Sequence, residues 1–179
     1  GVMVIAKNNS AHAFLADQFK ERKVKKKYIG LTWGLWDNEN GEINEPLQRD
    51  KKDPTRFSIN ANGKNSITKY KVEKIFRHSS LVSFFPLTGR THQIRIHSSH
   101  CGYPIFGDEK YGGGISRSKG FLPEFKSHYK RMIQKFNRHA LHAERLELIH
   151  PISKQIVKFD APLPQEYLDL VKSINVLNE

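Results

Sequence analysis

The sequence has one cysteine, Cys101, in 179 residues. A single thiol excludes an intrachain disulfide framework and fits a reducing compartment, the cytoplasm. Long hydrophobic runs are absent, and no stretch approaches the roughly 20 apolar residues that a membrane-spanning helix needs. Acidic residues are scarce, with 18 Asp and Glu against 30 Lys and Arg, giving a formal net charge of +12. The first residues, Gly1-Val-Met-Val-Ile-Ala, carry neither an initiating Met nor the basic leader of a signal peptide. Internal repeats and low-complexity linkers are also missing.

What remains is a globular composition. Hydrophobic residues make up 37% and aromatics 11%, too much for a disordered chain. The length suits one domain, 1–179, with a real core. The sequence pI is about 9.8. That excess of cations points to a polyanionic partner, because Lys and Arg displace counterions from phosphates.

Periodicity gives a coarse map. Residues 2–6 form a short apolar run that reads as a buried strand. Ser10 serves as N-cap for an amphipathic helix over 11–23, with Phe14, Leu15 and Phe19 inside and Gln18 outside. Tyr28, Ile29, Leu31 and Trp33 mark a strand entered through Lys25, Lys26 and Lys27, and the turn at 37–41 predicts a hairpin. Pro46 and Pro54 speak against regular structure over 44–56. A marginal strand at 56–59 is followed by an alternating one at 66–76, with Thr68, Tyr70 and Val72 on one face. Residues 81–85 form its antiparallel neighbour. Tyr129, Met132, Ile133 and Phe136 predict a helix over 124–136 whose outer Lys and Arg can reach phosphate. Strands follow in the second half of 140–150 and at 154–160, then a helix at 165–172. Short strands with intervening helices predict an α+β fold around a mainly antiparallel sheet, mixed in part, with flanking helices.

The densest chemistry lies in Leu87-Thr88-Gly89-Arg90-Thr91-His92-Gln93-Ile94-Arg95-Ile96-His97. Thr88-Gly89 reads as a turn and 91–101 as a helix, with Ile94 and Cys101 on one side and Arg95 projecting elsewhere. Gly89 to His97 holds two Arg, two His, a Gln and a Thr, an unusual density of hydrogen-bonding side chains. Gly-Arg-Thr-His-Gln-Ile-Arg-x-His, followed by His100-Cys-Gly-Tyr-Pro-Ile-Phe-Gly-Asp-Glu-Lys-Tyr-Gly112, closely resembles a signature of the RluA-type pseudouridine synthases, which isomerise uridine in RNA. Gly1 to Lys7 looks like the tail of that family's motif His-Arg-Leu-Asp-x-x-Thr-Ser-Gly-x-x-x-x-Ala-Lys. Residues 19–28 resemble its second motif, a basic strand carrying a Tyr. Leu141-His-Ala143 through Pro162-Leu-Pro164 resembles its closing hairpin.

The resemblance implies a pseudouridine synthase-like fold with an RNA groove, and isomerisation of uridine in rRNA or tRNA without metal, nucleotide or other cofactor. It makes Tyr28 the aromatic that stacks on a flipped-out target base, its hydroxyl serving in removal of the C5 proton. It makes Arg95 the cation that keeps the nucleophilic carboxylate ionised in a closed pocket. Arg90, Thr91, His92 and Gln93 would line the pocket or touch phosphates, and Leu141 would form part of an apolar floor.

The sequence departs from the family in one respect. The family's nucleophilic Asp stands five residues before the position of Gly1, and Asp17, Asp37 and Asp108 sit in other contexts. The expectation is a fragment of a synthase domain lacking its N-terminal portion and inactive alone. The alternative is a non-catalytic module that binds structured RNA. A His-based metal hydrolase is a third reading, since His92, His97, His100, His139, His142 and His150 are available and His139 and His142 have helix-face spacing. No His-Glu-x-x-His pattern supports it. A nucleophilic Cys101 beside His97 and His100 is a further option, against the simpler reading of a semi-buried thiol.

Overall fold

A computed structural model describes residues 1–178. In chain order the elements are α1 (Asn9–Lys20), β1 (Lys25–Trp33), β2 (Asn40–Asn44), β3 (Leu47–Arg49), β4 (Phe57–Ile59), β5 (Ile67–Ile75), β6 (Ser79–Pro86), α2 (Gln93–His100), α3 (Pro123–Phe136), β7 (Leu141–Ile149), β8 (Ile156–Asp160) and α4 (Gln165–Asn175), with three short 3-10 turns. Six strands form one sheet in the order β2-β5-β6-β1-β7-β8, and β3 with β4 makes a separate two-stranded hairpin. Every pairing among the described strands is antiparallel. The α+β expectation therefore holds, and its antiparallel character is complete.

Strand alternation divides the core into two layers. Tyr28 lies opposite Phe84, which in turn lies opposite Tyr70, so these rings share one face. α2 packs on that face, and residues 104–106 extend the sheet beside the end of β1, which puts Ile105 on the same face as Gly30. Ile29, Leu31 and Trp33 point the other way, towards α3 and α4, where Tyr129, Phe136, Tyr167 and Ile174 complete the main core. Trp33 is fixed by packing against Phe106 and Tyr129, both at 4.8 Å between ring centroids, and by Nε1 donating to the Gly113 carbonyl at 2.8 Å.

Gly30 sits at a close approach on the first face. A Cβ there would stand 2.8 Å from the Phe84 ring and 3.2 Å from Ile105. Both neighbours are fully buried. Gly30→Ala is therefore expected to destabilise the fold by about 1–3 kcal/mol through overpacking. Urea denaturation with an unchanged m value checks this, and a neutral effect would contradict the packing described.

Several local expectations need correction. Residues 2–6 are extended but form no strand, and their link to the sheet is Val2 N–H to the Ala143 carbonyl at 2.8 Å. Val2, Val4 and Ala6 pack on a second cluster with Leu15, Val24, Leu146 and Leu148, while Met3 and Ile5 face outward. Ser10 lies inside α1, because the Asn8 side chain caps it two residues earlier by accepting from Ala11 N–H at 2.8 Å. Gln18 is buried and Phe19 is 41% exposed, the reverse of the hydropathy expectation. Gln18 earns its place with two bonds to the Ile149 backbone, at 2.9 and 2.7 Å.

The turn at 37–41 does not close a hairpin. β6 takes the place beside β1, and β2 pairs with β5 at the sheet edge. Val82 and Phe84 offer β1 an apolar neighbour, whereas Asn40, Glu42 and Asn44 suit solvent. Residues 44–56 contain β3, because Leu47 is drawn into a third cluster with Ile96 and Tyr111. β7 runs the whole way from Leu141, since its first half pairs with β1.

Candidate active site

The open end of the sheet, where β1, β6 and β7 meet the start of α2, carries a cavity of about 180 Å³. Tyr28, Arg90, His92, Gln93, Arg95 and Leu141 all line it, together with Lys26. Thr91 does not. It faces an adjoining groove with Arg90. Residues separated by more than a hundred positions thus converge, because β1 is central and β6 and β7 flank it.

Tyr28 projects from β1 and is half-buried. Burial pushes its phenol above the ordinary tyrosine value, so the hydroxyl is neutral at physiological pH. Lys26, two residues earlier on the same strand, donates from Nζ to the Thr88 carbonyl at 3.0 Å. Burial lowers its pKa. The lysine triplet pointed only to a basic entrance, but the two-residue spacing from Tyr28 could have singled out Lys26 as the one facing the pocket.

Arg95 comes from the first turn of α2 and is held on three sides. Its Nε and one terminal nitrogen donate to the two Asp108 carboxylate oxygens, each at 2.7 Å. Its guanidinium carbon lies 4.8 Å from the Tyr111 ring centroid. Asp108 is 2% exposed, so the pair is largely removed from water. A bidentate pair of this kind fixes orientation as well as charge. No local pattern couples Asp108 with Arg95, which are 13 residues apart and brought together by the Gly102–Gly107 loop.

Gln93 is buried, and its side chain is fully engaged. Its oxygen accepts from the Thr88 hydroxyl at 2.7 Å and from Arg90 N–H at 3.0 Å. Its nitrogen donates to the Ile67 carbonyl and the Thr68 hydroxyl, both at 2.9 Å. Gln93 therefore pins the 87–90 turn to β5. Gln93→Leu is expected to cost about 1–3 kcal/mol, because it strands buried polar groups. Denaturant unfolding checks the value, and an unchanged midpoint would contradict it.

α2 starts at Gln93 rather than Thr91. His92 precedes it in the left-handed region, at φ 57°. A non-glycine residue held there is strained. The Nδ1 contact with the Tyr111 hydroxyl at 2.8 Å holds the ring. Lys26, Arg90 and Arg95 make the cavity cationic, with Asp108 offsetting one charge.

Several other histidines have structural partners. His97 is fully buried, with Nδ1 against the Thr68 hydroxyl at 2.9 Å and Nε2 against the Glu45 carbonyl at 3.1 Å. His142 is the second residue of β7 and His139 precedes the strand, so the two do not share a helical face. Among the described residues no three His, Cys, Asp or Glu gather as a metal site. Burial pushes the Cys101 thiol up, which disfavours the nucleophilic thiolate.

Burial lowers the pKa of His97, and His92 and His139 shift the same way for the same first cause. A histidine held neutral takes up its proton more readily when unfolded, at about pH 6.5. Stability is therefore expected to be full above that pH and to fall as the pH drops through it towards the lower folded pKa. Melting temperatures at pH 7.5 and 5.5 check this, and His97→Gln is expected to flatten the slope.

Comparison with known proteins shows which family the whole chain resembles. The family model described as RNA pseudouridylate synthase matches residues 1–100. A ribosomal large subunit pseudouridine synthase D from Blochmanniella floridana is 39% identical over 171 residues, which cover 96% of this chain and 53% of the relative. An uncharacterised RNA pseudouridine synthase of Bacillus subtilis is 36% identical over 97% of this chain and 52% of its own length. The chain thus spans about half the length of these curated relatives. The structure of human RNA pseudouridylate synthase domain containing 1 superposes with a TM-score of 0.69 and 29% identity, over 89% of this chain and 62% of that one. With more than half of the sequence under the family model, the chain belongs to the RNA pseudouridylate synthase family.

Proposed function

We propose that this chain is the greater part of a catalytic domain that converts uridine to pseudouridine in large-subunit ribosomal RNA. The observation that carries the reading is the convergence of Tyr28, Arg95 and Leu141 on one cationic cavity. The names of the bacterial relatives direct the choice of RNA.

In this reading a flipped uracil enters the cavity and stacks on Tyr28 over Leu141. Flipping is needed because the reacting atoms are shielded inside a helix. The N1 glycosidic bond breaks, a bond to C5 forms, C5 gives up its proton and N1 gains one. The neutral Tyr28 hydroxyl is the hydrogen-bonding group available at the base. Lys26 and Arg90 oppose phosphate charge at the mouth.

The nucleophile of the resembling motif lies five residues before Gly1. Gly1 and Val2 border a cleft shared with Tyr28, Leu141 and Ala143. Five extended residues span up to about 17 Å, so a preceding carboxylate is within reach of the cavity. Arg95, already paired with Asp108, is then positioned to meet it. No metal or other cofactor enters the scheme. The 179-residue chain alone is expected to give no turnover.

The test is pseudouridine mapping of ribosomal RNA from cells with and without the gene. At least one large-subunit position is expected to revert to uridine on deletion and to be restored by the wild-type gene. An unchanged pseudouridine map in ribosomal and transfer RNA would overturn the proposal.

A further inference from the structure

A second depression, of about 500 Å³, opens beside the cavity and shares Gly89 and Arg90 with it. Its far wall is the β3–β4 hairpin and the loop that follows. We infer that this groove between the β3–β4 hairpin and residues 89–91 holds the backbone of the RNA strand adjoining the target nucleotide, with Arg49, Lys64 and Arg90 as its phosphate contacts. The inference rests on the function proposed above and adds where the flanking strand runs.

The walls are built firmly. Lys64 is locked to β3 by a reciprocal backbone pair, Leu47 N–H to the Lys64 carbonyl at 2.9 Å and Lys64 N–H to the Leu47 carbonyl at 2.8 Å. A Cβ at Gly63 would stand 2.6 Å from the Leu47 backbone, so the loop approaches as closely as glycine permits. Arg49 is braced by the Phe57 ring at 5.0 Å and by donation to the Pro54 carbonyl at 2.6 Å. Leu47 anchors the whole hairpin in a buried cluster beneath α2. The cations therefore project from a fixed frame, which keeps the entropy cost of binding low.

The charge is unbalanced in the right sense. Arg49, Lys64 and Arg90 are exposed, and none forms an ion pair with a carboxylate among the described residues. The nearby Asp50 and Asp53 turn back on their own loop, accepting from Lys52, Asp53 and Thr55 N–H groups. A row of cations beginning at the cavity mouth matches a repeating anion tethered to the base inside it. An acidic protein would satisfy the charges but would have no reason to start at that mouth. A strand gripped beside the flipped nucleotide also helps to hold the distorted backbone that flipping creates.

The test compares the full-length gene product with its Arg49→Gln/Lys64→Gln double variant. Lys7→Gln/Lys20→Gln, with the same charge change around α1, is the control. All are assayed on a transcript of large-subunit ribosomal RNA. Loss of two phosphate contacts is expected to make the slope of log affinity against log salt shallower by about 2. The KM is expected to rise about tenfold with kcat within twofold, while the control matches wild type. Unchanged affinity and slope in the double variant would overturn the inference, as would an equal loss in the control. Because binding is read independently of turnover, a wild-type protein that binds but makes no pseudouridine would count against the proposed function and leave the groove tested on its own. Wild-type turnover with an unaffected double variant would do the reverse.

Discussion

Asp108→Ala is expected to lower stability by about 3–5 kcal/mol and to reduce pseudouridine formation to background. Asp108 is buried, and its two oxygens accept from Nε and one of the two terminal nitrogens of Arg95. Removing the carboxylate leaves a largely buried guanidinium without its counter-charge, and breaking such a pair from one side carries that penalty. The loss of function has a separate cause. Arg95 keeps its ring contact with Tyr111 but loses the bidentate bond that sets its direction. The double variant Asp108→Ala/Arg95→Met separates the two effects. It is expected to recover much of the stability, since no charge is then stranded, while remaining inactive. Urea denaturation beside tritium release from C5-labelled RNA reads both quantities. Activity near wild type in Asp108→Ala would show that Arg95 needs no such anchor.

The second large effect is expected at Tyr28. Tyr28→Phe keeps the ring and its stacking surface and removes only the hydroxyl. Its single-turnover rate is expected to fall by about 10²- to 10⁴-fold, the range for loss of a positioned proton-transfer group. RNA affinity is expected to change little. Tyr28→Ala removes the ring as well and is expected to weaken binding by about 1–3 kcal/mol, the scale of one base–aromatic stack. A Phe variant as active as wild type would assign Tyr28 to stacking alone.

The contrast between these two residues explains what could be read from the sequence. Tyr28 was legible because strand periodicity and the resembling motif agree on it. Arg95 was legible as a residue but not as half of a pair, since Asp108 reaches it through a loop with no periodic signal. The motif puts Gln93 on the pocket wall, where it lies, but gives no sign that its four hydrogen bonds go to Ile67, Thr68, Thr88 and Arg90, because partners on a distant strand leave no local trace. The same limit explains the hairpin expected at 37–41. Turn chemistry can reverse a chain, but β6 stands beside β1 because Val82 and Phe84 bury there, a long-range preference. β3 was hidden by Pro46 and Pro54 for a similar reason, since Leu47 gains more from its buried cluster than the prolines discourage.

The central claim is that one cavity, floored by Leu141 and faced by Tyr28 and Arg95, is where uridine is isomerised. The most direct measurement is single-turnover release of tritium from C5-labelled large-subunit ribosomal RNA by the full-length gene product, its Tyr28→Phe and Arg95→Met variants, and the 179-residue chain. The account requires release by the wild type, at least a hundredfold slower release by each variant, and none by the 179-residue chain. Wild-type rates from both variants, or release by the 179-residue chain alone, would contradict it.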